Sequence, residues 1–364
     1  MTKSPASQDE LHLTRALDLA ARGLYTTDPN PRVGSLVVSE DGIIGEGWHL
    51  RAGEPHAEVL ALRSAGSRAR GATVYVTLEP CCHTGRTPPC TDALIAAGVA
   101  RVVCCTPDPS PKVAGQGLER LRAAGIEVSV GVLAEEARSL NVGFFSRFER
   151  RRPWVRLKLA MSLDARTAPA SAGKYWISSE ASREDVQTWR ARSSAILTGA
   201  GTVRADDPRL DVRLMYGPWI RQPLRVLLDP MLSCTSNAKI FQGEGALIFA
   251  APDAPERLFG ASAIVRLPRA AGGLDLGAVI GRLTDLEVNE LLIECGPRLA
   301  ASFLLAGMVD ELLLYVAPAL LGADAAPLMH LSGLGSPGTL PAFEFRDMRR
   351  IGVDLRLTLT PKKP

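Results

Sequence analysis

The sequence predicts an α/β protein of two domains, and three observations carry that reading. Its 364 residues are more than one average domain holds. Apolar residues make up 46% and charged residues 22%, so each half has the material for an ordinary core. Helical and strand-like segments alternate along the chain, the pattern of layered α/β folds.

The elements follow in order. Ser7 and Glu10 form a capping-box pattern before Leu11, Leu13, Leu17 and Leu19, which predicts a first helix. Residues 33–38 and 43–48 read as strands joined by a Glu-Asp-Gly turn. A helix is expected from near His56 through Leu60 and Leu62, then a strand at 73–77 and a Pro/Gly-rich loop at 80–89. Helix 92–97, strand 101–105, helix 117–124 and strand 127–130 complete the first domain. The charged stretch 147–153 ends in Pro153, which favours extended chain before it, and marks the expected boundary between domains 1–150 and 151–364. Beyond it strands are expected at 155–159, 195–198, 224–228, 246–249, 290–294 and 311–316, with helical segments between several of them.

The charge balance excludes some function classes. Forty-two basic residues against 39 acidic ones give a net charge of +3, too even for the concentrated basic surface that nucleic acid requires. A few local Arg and Lys residues suffice for one small phosphorylated ligand. The N-terminal stretch lacks the apolar core of a signal peptide, and no segment approaches a membrane span, so a cytoplasmic location without a membrane partner is expected. Seven cysteines, an odd number clustered in the first third, fit reduced thiols, some held by metal, better than a disulfide framework. A homo-oligomer is expected.

The strongest chemical signal is His56-Ala57-Glu58, followed by Pro80-Cys81 and Pro89-Cys90. One imidazole and two thiolates suit Zn2+, and three protein ligands leave a fourth position open for water. Glu58 stands two residues from His56, placed to move protons between that water and a leaving nitrogen. Cys90 is expected to open a helix whose amides favour its thiolate. The alternative is a structural zinc site with Cys82 or His83 as fourth ligand. Cys82 reads as a bystander, and Cys104 and Cys105 as small core residues.

The general zinc-deaminase pattern is His-x-Glu followed by Pro-Cys-x-x-Cys. Here eight residues separate Cys81 from Cys90, and that loop, Cys81-Cys82-His83-Thr84-Gly85-Arg86-Thr87-Pro88-Pro89-Cys90, resembles the deaminase domain of the bifunctional riboflavin-biosynthesis deaminase/reductase family. The resemblance extends to Pro29-Asn30-Pro31, to Gly53-Glu54-Pro55-His56-Ala57-Glu58 and to Val76-Thr77-Leu78-Glu79-Pro80. It implies a cytidine-deaminase-like α/β/α layered domain. It also implies that Asn30 and His49 contact a pyrimidine, and that His83, Arg86 and Thr87 line the pocket near its phosphate. Asp108-Pro109-Ser110-Pro111 matches a family segment except that Ser110 replaces an Asn.

The second half has no strand-linked Gly-x-Gly-x-x-Gly. Leu291-Leu292-Ile293-Glu294-Cys295-Gly296-Pro297 reads as strand, tight turn and helix start, and the free amides of residues 298–302 are then expected to face a phosphate. Read alone, that is an ordinary strand-to-helix turn. Lys158 to Arg166, Trp176-Ile177-Ser178-Ser179, Gly201 to Pro208 and Glu294 to Pro297 resemble, in this order, the reductase half of the same family. The family usually has Gly at the place of Ala165 and often at that of Cys295.

The resemblance implies a dihydrofolate-reductase-like α/β domain using NADPH. Ala160, Trp176, Thr202, Asp206, Gly296, Pro297, Arg298, Leu299, Ala300, Ala301 and Ser302 are implied to hold NADPH. Lys174, Arg190, Leu210, Arg213 and Glu294 are implied to hold the substrate, Arg190 and Arg213 as guanidinium forks on phosphate. Lys158 is the implied catalytic residue of the reduction. The implied reactions are deamination of 2,5-diamino-6-ribosylamino-4(3H)-pyrimidinone 5′-phosphate and then reduction of its ribosyl group to ribityl. Two rivals are a nucleic-acid-editing deaminase and a non-catalytic zinc-stabilised module.

Overall fold

The computed structural model describes residues 5–85, 88–169, 175–213, 220–332, 335 and 341–362. The chain divides into two compact units, Met1–Arg151 and Arg152–Pro364. No helix among the described residues is long and apolar enough to cross a membrane.

The first unit runs α1 (Pro5–Ala21), β1 (Gly34–Ser39), β2 (Gly42–Trp48), α2 (Ala57–Ala65), β3 (Thr73–Val76), α3 (Cys90–Ala97), β4 (Arg101–Cys104), α4 (Gln116–Ala123), β5 (Glu127–Val130), α5 (Ala134–Leu140) and α6 (Val142–Glu149). Its sheet has the order β2-β1-β3-β4-β5. β1 pairs antiparallel with β2 and β3, and β3, β4 and β5 are parallel. Strand alternation supplies one core to each face. Val37, Val74, Val76, Val102 and Cys104 meet Ala61 of α2, Leu94 of α3 and Leu121 of α4. Leu36, Tyr75, Val103 and Cys105 meet Leu13, Ala16 and Leu19 of α1 and Ala137 of α5. The result is the α/β/α sandwich, and Cys104 and Cys105 are core residues on opposite faces.

The second unit begins with β6 (Trp154–Ser162), β7 (Arg166–Ala168), α7 (Glu180–Arg192), β8 (Ala195–Gly199), α8 (Ala200–Asp206), β9 (Leu224–Leu228), β10 (Leu247–Ala250) and β11 (Ala263–Arg266). It continues with β12 (Arg269–Ala270), β13 (Gly273–Leu274), α9 (Leu276–Asp285), β14 (Glu290–Glu294), α10 (Pro297–Leu305), β15 (Glu311–Ala317), β16 (Ala326–Pro327), β17 (Phe343–Ile351) and β18 (Asp354–Pro361). The main sheet has the order β11-β10-β9-β8-β14-β6-β15-β18-β17. Seven strands are parallel neighbours, and β15, β18 and β17 pair antiparallel at one end. From β8 the chain moves outward to β9, whereas from β14 it crosses β6 to reach β15. The crevice beyond the ends of β8 and β14 is therefore a topological switch point, where open α/β sheets bind ligands.

One face of this sheet carries a polar layer. Arg156 of β6, its side chain 2% exposed, lies between Glu290 and Glu311 and over the Trp189 ring at 4.7 Å. A buried cation survives because two carboxylates and a π-face replace its water.

Two local expectations change. The first helix starts at Pro5, so Ser7 lies inside it rather than capping it. The β17–β18 hairpin was not legible, because Arg346, Asp347, Arg349 and Arg350 dilute the apolar alternation that marks a strand.

Candidate active sites

In the first unit the site grows from a close approach between strand and helix. A Cβ added at Gly47 of β2 would lie 2.4 Å from Ala57 O and 2.5 Å from Ala61 N, and one at Gly45 would lie 2.3 Å from Ala61 O. Only glycine lets α2 sit this close to the sheet. His56 is the N-cap of α2, with φ −73° and ψ 164°, and Glu58 lies in its first turn. Cys81 follows β3 after a short bent segment, and Cys90 opens α3.

These elements bring three ligand atoms together. His56 Nδ1 is 3.2 Å from Cys90 Sγ and 3.5 Å from Cys81 Sγ, and all three atoms lie within 4.8 Å of one another. Nitrogen and sulfur ligands at ~2.0 and ~2.3 Å from one tetrahedral ion stand roughly 3.6 Å apart. The donor set therefore fits zinc in both chemistry and spacing. The Cys90 amide donates to Cys81 Sγ at 3.3 Å. Hydrogen bonding from Cys90, against the penalty of burial, holds the Cys81 thiol down at about 4, with help from His56. The same contact with Cys81, together with burial, pushes the Cys90 thiol up. Two adjacent sulfurs do not both ionise without a cation between them.

Glu58 is 3% exposed. Burial pushes its carboxyl up to about 7, against the pull of His56. That is where a proton shuttle works best at neutral pH. Asn30 Nδ2 stands 3.0 Å from His49 Nε2, and His49 Nδ1 stands 3.3 Å from Pro55 O. With the Asn30 amide donating, His49 accepts at Nε2 and donates from Nδ1, the neutral tautomer. Burial, and then His56, pull the His49 imidazole down to about 4, in agreement. His83 is exposed, while Arg86 and Thr87 lie outside the described residues.

In the second unit Lys158 of β6 and Glu294 of β14 are register partners. Arg190 of α7 grips Glu294 with Nε to Oε1 at 2.6 Å and Nη2 to Oε2 at 2.9 Å, and its Nη1 donates to Asp211 O. The Arg190 fork expected on phosphate is thus engaged by a carboxylate. Arg213, its side chain 55% exposed, pairs with Asp211. Burial lowers the Lys158 ammonium, Glu294 opposing and Arg190 assisting. Burial raises Glu294, but Arg190 and Lys158 outweigh it and hold the carboxyl below its ordinary value. Lys158 Nζ also lies 5.6 Å from the centroid of the Tyr315 ring, a buried neighbour that no motif announced.

At the switch point Gly296 is the N-cap of α10, without a side-chain cap, and Pro297 is its first residue. Ala300 N donates to Gly296 O. The amides left open by the helix are therefore those of Gly296, Arg298 and Leu299, rather than the whole run 298–302, because the helical ladder takes the rest. Ala300 and Ala301 face the core. A Cβ at Gly296 would meet only Thr202 Oγ1, at 3.8 Å, and one at Gly201 would meet nothing within 4 Å. Open backbone beside uncapped amides suits a dinucleotide phosphate. Ala160 is half-buried on β6, Trp176 is 60% exposed beneath Arg183, and Asp206 is the exposed last residue of α8. Leu210 packs its side chain into the core, which leaves only its backbone for a ligand. Lys174 lies outside the described residues.

Comparison with known proteins settles the family. Residues 6–106 match the cytidine and deoxycytidylate deaminase zinc-binding region, and residues 153–357 match the RibD C-terminal domain. The chain is 49% identical to the riboflavin biosynthesis protein RibD of Escherichia coli K12, over 97% of this chain and 99% of that one. The chain belongs to the RibD family. The Acinetobacter baumannii RibD structure, form 1, superposes with a TM-score of 0.91 at 42% identity, over 98% of this chain and 100% of that one. A Thermotoga maritima structure described as a diaminohydroxyphosphoribosylaminopyrimidine deaminase/5-amino-6-(5-phosphoribosylamino)uracil reductase gives a TM-score of 0.86 at 32% identity, over 98% and 99%.

This RibD-family chain is accordingly a bifunctional deaminase and reductase of riboflavin biosynthesis, acting on a pyrimidine with Zn2+ and NADPH as cofactors. Its fold pairs a cytidine-deaminase-like unit with a dihydrofolate-reductase-like one. Ala165 has a φ of 56°, in the left-handed region that glycine adopts without strain.

Proposed function

We propose that the first unit deaminates 2,5-diamino-6-ribosylamino-4(3H)-pyrimidinone 5′-phosphate and that the second then reduces the ribosyl group to ribityl. The observation that carries the reading is the convergence of His56, Cys81 and Cys90 beside the buried carboxyl of Glu58. His56 Nδ1 and the two sulfurs hold the metal. When bound, Zn2+ supplies Lewis-acid activation of water at neutral pH. Glu58 takes up a proton on its carboxylate and delivers it to the departing nitrogen. The net change replaces a ring C–NH2 by C=O, with water entering and ammonia leaving. Asn30, braced by His49, orients the ring, and His83, Arg86 and Thr87 hold the phosphorylated end.

In the second unit Gly296 to Ser302, Thr202, Asp206, Ala160 and Trp176 hold NADPH, with Ala300 and Ala301 acting only through packing that seats the first turn of α10. NADPH supplies the hydride that reduces the first sugar carbon. Lys158 donates a proton to the sugar oxygen as its bond to that carbon breaks. Glu294 keeps Lys158 charged and orients the sugar hydroxyls. Arg213, Lys174 and the Leu210 backbone complete the phosphorylated-substrate site, with Arg190 acting through the Glu294 carboxylate and Asp211 O that it holds.

The setting is a cytoplasmic homo-oligomer. All seven cysteines are free, as a reducing compartment requires. Phe345, Met348 and Val353 on the β17–β18 hairpin are each more than 60% exposed, which suits burial against a second copy.

The test follows ammonia and NADPH together with the purified chain and the diaminopyrimidine phosphate. Glu58→Gln is expected to abolish ammonia release and to leave NADPH oxidation on deaminated substrate intact. Equal loss of both steps in a folded, zinc-loaded variant would refute this division of labour.

A further inference from the structure

A carboxylate outside the metal and proton-transfer groups gathers a later segment of chain beside Cys81. Glu79 follows β3, two residues before Cys81, and is 4% exposed. Its two oxygens accept four backbone amides from one later segment. Asp108 N and Gly115 N donate to Oε2, each at 3.0 Å. Gly117 N and Leu118 N donate to Oε1, at 2.9 and 3.3 Å. The Glu79 amide donates in turn to Thr106 O at 3.1 Å. One residue thus binds both ends of the 106–118 segment and supplies the N-terminal amides of α4 with a charged partner that Gly115, its N-cap, lacks.

The same segment approaches the chain around Cys81 by a second route. A Cβ at Gly117 would lie 2.1 Å from Pro80 O, so α4 rests directly on the backbone next to Cys81. Cys82 Sγ donates to Lys112 O, and Arg120 donates to Cys82 O. The 106–118 segment therefore packs against the chain that carries a metal ligand.

We propose that Glu79 is a positioning residue of the deaminase: it clamps this segment against the backbone next to Cys81 and thereby sets how well the pyrimidine substrate is seated. The inference rests on the deaminase reading. Glu79 makes no hydrogen bond to His56, Glu58 or Cys90 among those described, so its influence reaches substrate binding more than proton transfer.

The isosteric variant Glu79→Gln keeps one acceptor oxygen and turns an NH2 toward two of the four amides. KM for the diaminopyrimidine phosphate is expected to rise about tenfold or more, with kcat changed less than about threefold. Bound zinc, measured by elemental analysis, is expected to stay at the parent's level, as is NADPH oxidation on deaminated substrate. Gly115→Ala serves as a second, milder variant. A Cβ there meets nothing within 4 Å, and the change strains only the φ of +90° at an amide Glu79 holds. A smaller rise in KM is expected. A lower Tm with parental KM and kcat in both variants would make Glu79 a stability clamp only and overturn the proposal, and so would loss of zinc from Glu79→Gln. Failure of the parent chain to release ammonia would instead sink the deaminase reading itself.

Discussion

Gly47→Ala tests whether the spacing between β2 and α2 sets the deaminase geometry. The new Cβ would lie 2.4 Å from Ala57 O and 2.5 Å from Ala61 N. Non-bonded atoms settle near ~3.5 Å, so helix and strand must part by roughly 1 Å. Both close atoms are backbone, and no side-chain rotation relieves them. The displaced turn carries His56 and Glu58, whereas Cys81 and Cys90 sit on other elements. The four groups therefore lose register. A 1 Å misplacement costs about 10²-fold in rate, and overpacking costs about 1–3 kcal/mol in stability. Steady-state ammonia release is expected to fall by about two orders of magnitude in kcat/KM, with NADPH oxidation on deaminated substrate as internal control. A folded Gly47→Ala protein with deaminase kcat/KM within about threefold of the parent would refute the argument.

Three further outcomes are expected. Ala165→Gly relieves a left-handed residue costing about 1–2 kcal/mol but adds about 0.5–1 kcal/mol of chain-entropy cost on folding, so urea denaturation is expected to show a net gain of about 0.5–1 kcal/mol; a loss contradicts it. Asp9 is raised by burial, but the hydrogen bonds from Arg101 and Tyr75 outweigh that and leave its carboxyl below its ordinary value. Its contribution is therefore present above the unfolded value and is lost as pH falls through the folded one. Asp9→Asn is expected to cost on the order of 1–3 kcal/mol at pH 7, with the deficit shrinking below about pH 4, and an equal deficit at both ends tells against the ion pair. Chelation of zinc is expected to stop ammonia release while NADPH oxidation continues, with zinc restoring the lost step; simultaneous loss of both activities would place the metal's effect on the whole chain.

Much of the site was legible because its chemistry sits in short segments. His56 and Glu58 share one helix turn, and the loop from Cys81 to Cys90 is distinctive in itself. Strand and helix types followed from period and turn residues, which act over a few positions. The amide run after Gly296 was overcounted because the helical ladder consumes all but the first turn. Tyr315 lay in an expected strand and Glu79 in a motif of the resemblance, but neither pattern gave the residue's role, since each matters through partners far along the chain.

By itself the sequence determined which atoms can bind the metal, the alternation of elements and the family to which the chain belongs. Tertiary structure decided what those atoms meet. His56 and Cys90 stand 34 positions apart, and Arg190 and Glu294 stand 104 apart. No local pattern says that the Arg190 fork closes on a carboxylate, or that four amides converge on Glu79. Those pairings follow from strand order and from how closely helices approach the sheets, which depend on packing across the whole unit rather than on neighbouring residues.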